Sequence, residues 1–251
     1  MLGAPRSKEF DDVYFSRNDG LAETRHVFLA GNGLPDAWAG RKNFTICETG
    51  FGTGLNFLAA WKSFRETAQG GQLDYISVEK FPLSAMEIFE ALKKVLSLGG
   101  EDLGEGGMES FMAKALNAPH PNPLPTGERE FGRYLFRMLE RYPPRVPGFH
   151  RIVMDERVTL TLIFGDVNDA MSEIEARVDC WFLDGFKPAI NPDMWNEILF
   201  QNMARLSKPG ATFATFTAAG FVKRGLQAVG FTVDKVKGFG TKRDMLIGKF
   251  S

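Results

Sequence analysis

The sequence predicts a doubly wound α/β sheet of seven strands that ends in an antiparallel hairpin. Three observations carry that expectation. Short apolar runs alternate with segments of helical spacing. The first firm run ends in a glycine-rich turn, Gly50-Phe51-Gly52-Thr53-Gly54, which opens onto a helix. The last two runs, 231–237 and 244–250, are joined by a short turn around Gly238 and Gly240 with no helix between them, as an antiparallel pair at a sheet edge requires.

The elements follow in order. Residues 13–38 mix Tyr14, Phe15, Val27, Phe28, Leu29 and Trp38 with the breaks Asn18-Asp19-Gly20 and Gly31-Asn32-Gly33, which predicts two short strands or a hairpin in an N-terminal extension over 11–40. Phe44-Thr-Ile-Cys-Glu48 reads as a buried strand, and Leu55, Leu58, Ala59 and Trp61 space a helix over 55–67. A second strand spans 73–79, and Pro82 suits the first turn of a helix covering about 82–96. Residues 97–107 are glycine-rich, and 119–125 hold four prolines in seven residues. Neither stretch sustains a helix or a ladder, so 100–132 predicts a flexible insertion, with room for helices at 108–117 and 130–142. Arg133, Arg137 and Arg141 form a basic stripe at helical spacing, ended by Pro143, Pro144 and Pro147. Regular alternation then resumes: strands at 158–164, 178–183 and 211–217, helices at 168–177, 193–206 and 219–229, and a turn at Lys208-Pro209-Gly210. The whole of 1–251 is expected to form one domain.

Composition narrows the functional classes. The chain of 251 residues carries 30 Lys plus Arg against 31 Asp plus Glu, so a wholesale polycation is excluded. The charge is uneven: residues 205–251 hold nine basic and two acidic side chains, a net +7, leaving −8 for 1–204. That basic segment could meet a polyanion, or could be a set of solvated lysines. Cys47 and Cys180, each inside an apolar run, make no disulfide framework and fit a reducing cytoplasm. No apolar run approaches the ~20 residues of a membrane helix, and the N-terminus has no signal-peptide core. His26, His120 and His150 lack zinc-ligand spacing, so no metal is expected.

Four strand ends could carry chemistry. Glycines in the turn after Glu48 let the backbone bend sharply and a ligand approach it; Leu55 stands where a dinucleotide fingerprint wants a third glycine. An acid followed by Gly-x-Gly-x-Gly is instead what class I S-adenosylmethionine enzymes use, with the loop behind the methionine part and the acid near its ammonium. Glu79 closes the second strand, where a carboxylate can accept both ribose hydroxyls. Asp166 could accept the adenine amino group while Val167 donates its N–H, and Asp166 equally suits a helix N-cap. Asp184-Gly185-Phe186-Lys187 follows the 178–183 strand: Asp184 could hold an amine, and Phe186 could stack on a base. The cofactor set is Glu48, Gly50, Gly52, Gly54, Asn56, Glu79, Asp166 and Val167; the candidate catalytic residue is Asp184; the candidate substrate contacts are Phe186, Lys187, Arg224, Lys242 and Arg243.

A wider pattern resembles a known family. Tyr14-Phe15-Ser16-Arg17, Glu23-Thr24-Arg25, Phe28-Leu29 and Gly31-Asn32-Gly33-Leu34-Pro35 are followed by Glu48-Thr49-Gly50-Phe51-Gly52-Thr53-Gly54-Leu55-Asn56-Phe57. Later come Tyr142-Pro143-Pro144, Pro147-Gly148-Phe149-His150-Arg151, Phe164-Gly165-Asp166, Leu183-Asp184-Gly185-Phe186, Asn191-Pro192-Asp193-Met194-Trp195 and Thr215-Phe216-Thr217-Ala218-Ala219-Gly220. From about Asp11 to Phe250 the chain is similar to the methyltransferase domain of the MnmC family of tRNA 5-methylaminomethyl-2-thiouridine biosynthesis proteins. The resemblance implies a Rossmann-like class I fold and transfer of a methyl from S-adenosylmethionine to the aminomethyl nitrogen of wobble uridine in tRNA. It implies cofactor roles for the Gly50–Gly54 loop, Glu79 and Asp166, and an amine-holding role for Asp184. Bifunctional members continue into an FAD-dependent oxidase domain, absent here, so the preceding step is not expected of this chain. The proline-rich stretch 119–128 is foreign to the family and similar to peptides encoded by mobile repeat elements. Two other readings stay open at this stage: a methyltransferase of a small amine or protein, and a non-catalytic RNA-binding remnant.

Overall fold

The computed structural model describes residues 20–95, 126–241 and 243–251. Its centre is one eight-stranded sheet: β1 Asn43–Glu48, β2 Gln72–Glu79, β3 Gly148–Asp155, β4 Val158–Phe164, β5 Val178–Phe182, β6 Ser207–Thr215, β7 Phe231–Lys237 and β8 Asp244–Phe250. The order across the sheet is β3-β4-β2-β1-β5-β6-β8-β7. The five central strands β4, β2, β1, β5 and β6 pair in parallel. At one edge β3 runs antiparallel to β4; at the other, β8 is antiparallel to both β6 and β7. Both faces are covered, as a mainly parallel sheet demands. On one face, α2 (Leu55–Thr67), α3 (Ala85–Val95) and α4 (Thr126–Arg141) bury Ile46, Tyr75, Leu160 and Phe182. On the other, α5 (Val167–Glu173), α6 (Glu197–Leu206) and α7 (Gly220–Ala228) bury Val78, Trp181, Leu183 and Phe213.

The seven strands read from the sequence are present, and the expected count is corrected by one, β3. Its sequence, Gly-Phe-His-Arg-Ile-Val-Met-Asp, places Phe149, Arg151 and Val153 on an exposed face and Ile152 and Met154 inward. Apolar residues on both faces erase the alternation that marks a half-buried strand, and the prolines before it read as an ending. The expected N-terminal hairpin is also corrected. Its described part forms helical turns and no strand: α1 Gly20–Thr24, a wider π turn Arg25–Leu29, and 3-10 turns Ala30–Asn32 and Asp36–Trp38. Val27, Phe28 and Leu29 are consecutive and all buried, which a half-exposed strand cannot achieve. Residues 13–19 of that expectation, and the helix expected at 108–117, lie outside the described residues. So does most of the expected 100–132 insertion, but its last residues, from Thr126, belong to α4.

Smaller differences have local causes. The helix expected at 193–206 starts only at Glu197, because Pro192–Met194 form a separate 3-10 turn and the Asn196 side chain caps α6 by accepting from Leu199 N. Lys208-Pro209-Gly210 is a bulge inside β6: Ser207 pairs with Val178 and Thr212 with Cys180, so the extra residues loop out of register. At Gly248 in β8, an added Cβ would lie 2.0 Å from the Thr232 carbonyl oxygen and 2.4 Å from the Phe213 ring. Gly248→Ala is therefore expected to lower stability by about 2–3 kcal/mol, because the backbone of β7 must give way. A denaturant midpoint unchanged from wild type would contradict this.

The topology fixes where a site can lie. All five parallel strands end on one rim, where the chain order reverses between β1 and β5. The loops there are stitched together: Thr49 N donates to Phe182 O (3.2 Å), Phe51 N to Val78 O (3.1 Å) and Gly165 N to Glu79 O (3.0 Å).

Candidate active site

At the end of β1 the chain turns through Thr49–Gly54 and enters α2. Gly54 has φ +76° and immediately precedes the helix; a Cβ there would lie 2.7 Å from the Phe51 ring and 2.9 Å from Met138 Sδ. At Gly50 a Cβ would lie 3.0 Å from the Asp184 carbonyl oxygen, so a glycine lets the β1 and β5 loops touch. This loop floors a cavity of about 420 Å³, within the range of small-molecule sites. Its walls come from the loops after β1, β2, β4, β5 and β6, together with α1.

One end of the cavity is polar and rigidly held. Glu79 Oε2 accepts from Gly52 N and Oε1 from Phe81 N, both at 2.8 Å. Burial raises the Glu79 carboxyl above its ordinary range, against those backbone donors. Asp166 caps α5 by accepting from Asn168 N (2.9 Å) and pairs with Lys80 (2.9 Å). Burial opposes ionisation of Asp166, and the bonds from Lys80 and Asn168 outweigh it, so its carboxyl lies below the usual value. At the other end stands Asp184, half-buried, with Oδ1 accepting from Gly185 N (2.8 Å) and Oδ2 from Asn56 Nδ2 (2.7 Å). Glu23, Phe28, Phe186, Lys187 and Phe216 also line the cavity.

The structure thus brings Gly50, Gly52, Asn56, Glu79, Asp166, Val167, Asp184, Phe186 and Lys187 to one cavity. It does not bring all the candidates there. Glu48 is fully buried beneath the loop, Oε1 accepting from Asn56 Nδ2 (2.9 Å) and Oε2 from Ser77 Oγ (2.7 Å). Expected near an ammonium, Glu48 does not line the cavity and lies in the support below its floor. Desolvation, with Asp184 nearby, pushes the Glu48 carboxyl well above the usual carboxylate range. Gly54 turns the chain without lining the cavity. Arg224, on α7, and Arg243, just before β8, are exposed and off the cavity wall; Lys242 lies outside the described residues. Conversely, Glu23, Thr24 and Phe28 line the cavity, and the sequence assigned them no role. A carboxylate and a hydroxyl beside an apolar run were a usable signal, since α1 buries Glu23 and Thr24.

The donor set fits S-adenosylmethionine. It offers a carboxylate on the cavity wall, a glycine floor, and the N-terminus of a 13-residue helix at the cavity, favourable to a carboxylate. A family model described as S-adenosyl-L-methionine-dependent methyltransferase matches residues 129–251. The MnmC bifunctional protein of Marinomonas sp. (strain MWYL1) is 46% identical over 253 residues, 99% of this chain. Over its C-terminal half the chain is thus similar to S-adenosyl-L-methionine-dependent methyltransferases, and over nearly its whole length to an MnmC protein.

The chain is equally similar to MnmC of Ectopseudomonas mendocina (strain ymp), at 47% identity over 99% of its length. It spans about a third of the length of these relatives, 33% and 34%. The crystal structure of MNMC2 from Aquifex aeolicus superposes with a TM-score of 0.69 at 22% identity, covering 98% of this chain and 66% of that one, which establishes the shared fold. Among the described residues, no helix is long and apolar enough to cross a membrane, and no cluster of side chains could hold a metal ion.

Proposed function

We propose that the protein is an S-adenosylmethionine-dependent methyltransferase that acts on tRNA, methylating the aminomethyl nitrogen of 5-aminomethyl-2-thiouridine at the wobble position to give 5-methylaminomethyl-2-thiouridine. The observation that carries the reading is the division of the cavity. Glu79 and Asp166 follow β2 and β4 on one side of β1, Asp184 and Phe216 follow β5 and β6 on the other, and Phe28 and Phe186 line the same cavity. A carboxylate among aromatic rings suits a cationic amine carried on a planar base. Relatives at 46% and 47% identity are named for tRNA 5-methylaminomethyl-2-thiouridine biosynthesis, which supports the choice of acceptor.

In this reading Glu79 takes the ribose hydroxyls, Asp166 and Val167 the adenine edge, and the Gly50–Gly54 loop and the start of α2 the methionine part. Bound there, the cofactor supplies an electrophilic methyl group on a cationic sulfur. Asp184 accepts a hydrogen bond from the amine, fixes its approach, and takes the proton the nitrogen must lose before it can attack. An ordinary aspartate, of pKa ~3.9, is a weak base, so orientation carries more of its effect than proton removal. Phe186 stacks on the extruded base, which must leave the anticodon stack to enter. Leu246 pairs with Thr215 at the end of β6, which puts the start of β8, and hence Arg243, on the same rim as the cavity. Arg243, Lys242, Arg224 and Lys187 then hold phosphates of the surrounding loop.

Labelled S-adenosylmethionine incubated with tRNA carrying the aminomethyl uridine is expected to yield labelled tRNA, with none on the same tRNA lacking that group. Absence of label refutes the reading, and label on free amines or protein without RNA favours a different acceptor. Cofactor affinity has a predicted pH dependence. Glu79 must be ionised to accept two hydroxyls, and its carboxyl is raised, so affinity falls on acidification while ordinary glutamates are still charged. Calorimetry at stepped pH should show that early loss in wild type and none in Glu79→Gln. Affinity that holds down to about pH 4.3, where ordinary glutamates protonate, contradicts it.

A further inference from the structure

Asn56, the second residue of α2, is the side chain that joins most of the site. It is 6% exposed. Its Nδ2 donates to Glu48 Oε1 at 2.9 Å and to Asp184 Oδ2 at 2.7 Å, and its Oδ1 accepts from Thr24 Oγ1 at 2.8 Å. Both amide hydrogens are thereby placed, and the sense of the amide is fixed, since reversing it would set an oxygen against two carboxyl groups. The motif alone assigns Asn56 to the cofactor because it follows the glycine loop. The geometry gives it another task.

We infer that Asn56 is a positioning residue, which aims the Asp184 carboxylate at the acceptor amine, rather than a ligand of the cofactor. This rests on the acceptor chemistry proposed above. Asp184 has one oxygen held by Gly185 N and the other by Asn56, so two donors, one from its own loop and one from α2, fix its plane. Gly185 N is Asp184's own neighbour and follows any movement of that loop. Asn56 sits on the first turn of a buried helix and is braced from beneath by Glu48 and from the side by Thr24. A neutral donor orients a carboxylate without cancelling its charge; a lysine at 56 would pair with it and spend the attraction meant for the substrate amine. Glu48, kept towards its neutral form by burial and by Asp184, adds little competing charge beneath the floor. Thr24 extends the device to α1, so docking of the N-terminal segment bears on the aim of Asp184.

The test compares wild type with Asn56→Ala and Asn56→Asp. Aspartate keeps the shape of asparagine and replaces its donor by an acceptor, so a side chain that only fills space is rescued by it and a donor is not. Both variants are expected to lower kcat on aminomethyl-uridine tRNA by about 100-fold, as a misplacement near 1 Å does. KM for tRNA and the calorimetric Kd for S-adenosylmethionine should stay within about threefold of wild type. Crystals of either variant should show Asp184 in a different side-chain rotamer or in more than one. A loss of cofactor affinity matching the loss of rate makes Asn56 a cofactor ligand and overturns the inference, as does an unmoved Asp184 or rescue by aspartate. If Asn56→Ala gives no cooperative melt, the near-isosteric Asn56→Asp carries the comparison. Wild type that leaves this tRNA unlabelled sinks the acceptor assignment instead, and the rotamer and cofactor measurements still decide the role of Asn56.

Discussion

Asp184→Ala is expected to abolish methyl transfer, lowering kcat by about 1,000-fold or more, while the affinity for S-adenosylmethionine stays within about threefold of wild type. The division of the cavity is the reason. Asp184 follows β5, on the other side of β1 from Glu79 at the end of β2, and its side chain accepts from Asn56 and Gly185. Removing it leaves a cationic amine without its acceptor and Asn56 Nδ2 without one of its two acceptors, and the loop floor remains. The loss should exceed that of the Asn56 variants, because in those the carboxylate is misdirected and here it is gone. Rate and calorimetric measurements on the same preparation decide the point. A variant with near-normal turnover removes Asp184 from the chemistry, and one that has lost cofactor affinity in proportion moves it to the wrong end of the cavity.

Glu79→Ala should act at the opposite end and in the opposite observable. Two hydrogen bonds to a charged acceptor are each worth about 1.5–3 kcal/mol, so the dissociation constant for the cofactor should rise at least 100-fold. The structure adds a second cost. Gly52 N and Phe81 N both donate to this carboxylate, and without it the glycine loop loses the bond that holds it towards β2. Saturating cofactor should restore much of the rate, which separates Glu79 from Asp184. Equilibrium dialysis showing unchanged affinity would mean that the ribose is held elsewhere.

Much of this arrangement was legible because the chemistry sits where the strand pattern ends. Glu79, Asp166 and Asp184 each close or follow an apolar run, and at those positions the topology alone brings distant residues to one rim. What the sequence hid depends on side-chain direction and tertiary packing. Glu48 precedes the glycine loop as a cofactor acid should, yet strand alternation and the contact with Ser77 turn it beneath the floor. Asn56 reads as one more residue of the loop motif, and only its bonds to both Glu48 and Asp184 reveal a different task. The N-terminal segment misled most: Val27-Phe28-Leu29 fits a short strand or a buried helical turn equally well by periodicity, and tertiary contacts, Phe28 on the Phe182 ring and Asn32 Nδ2 donating to Trp181 O, decide between them. Strand β3 was missed because an edge strand with apolar groups on both faces has no period to read.

The most direct test is a crystal structure with S-adenosylhomocysteine bound. The account predicts the ribose on Glu79, the adenine beside Asp166 and Val167, and the sulfur turned towards Asp184 and the ring of Phe186. An adenosine lodged instead between Phe28 and Phe216, or a ligand outside the cavity altogether, would contradict it.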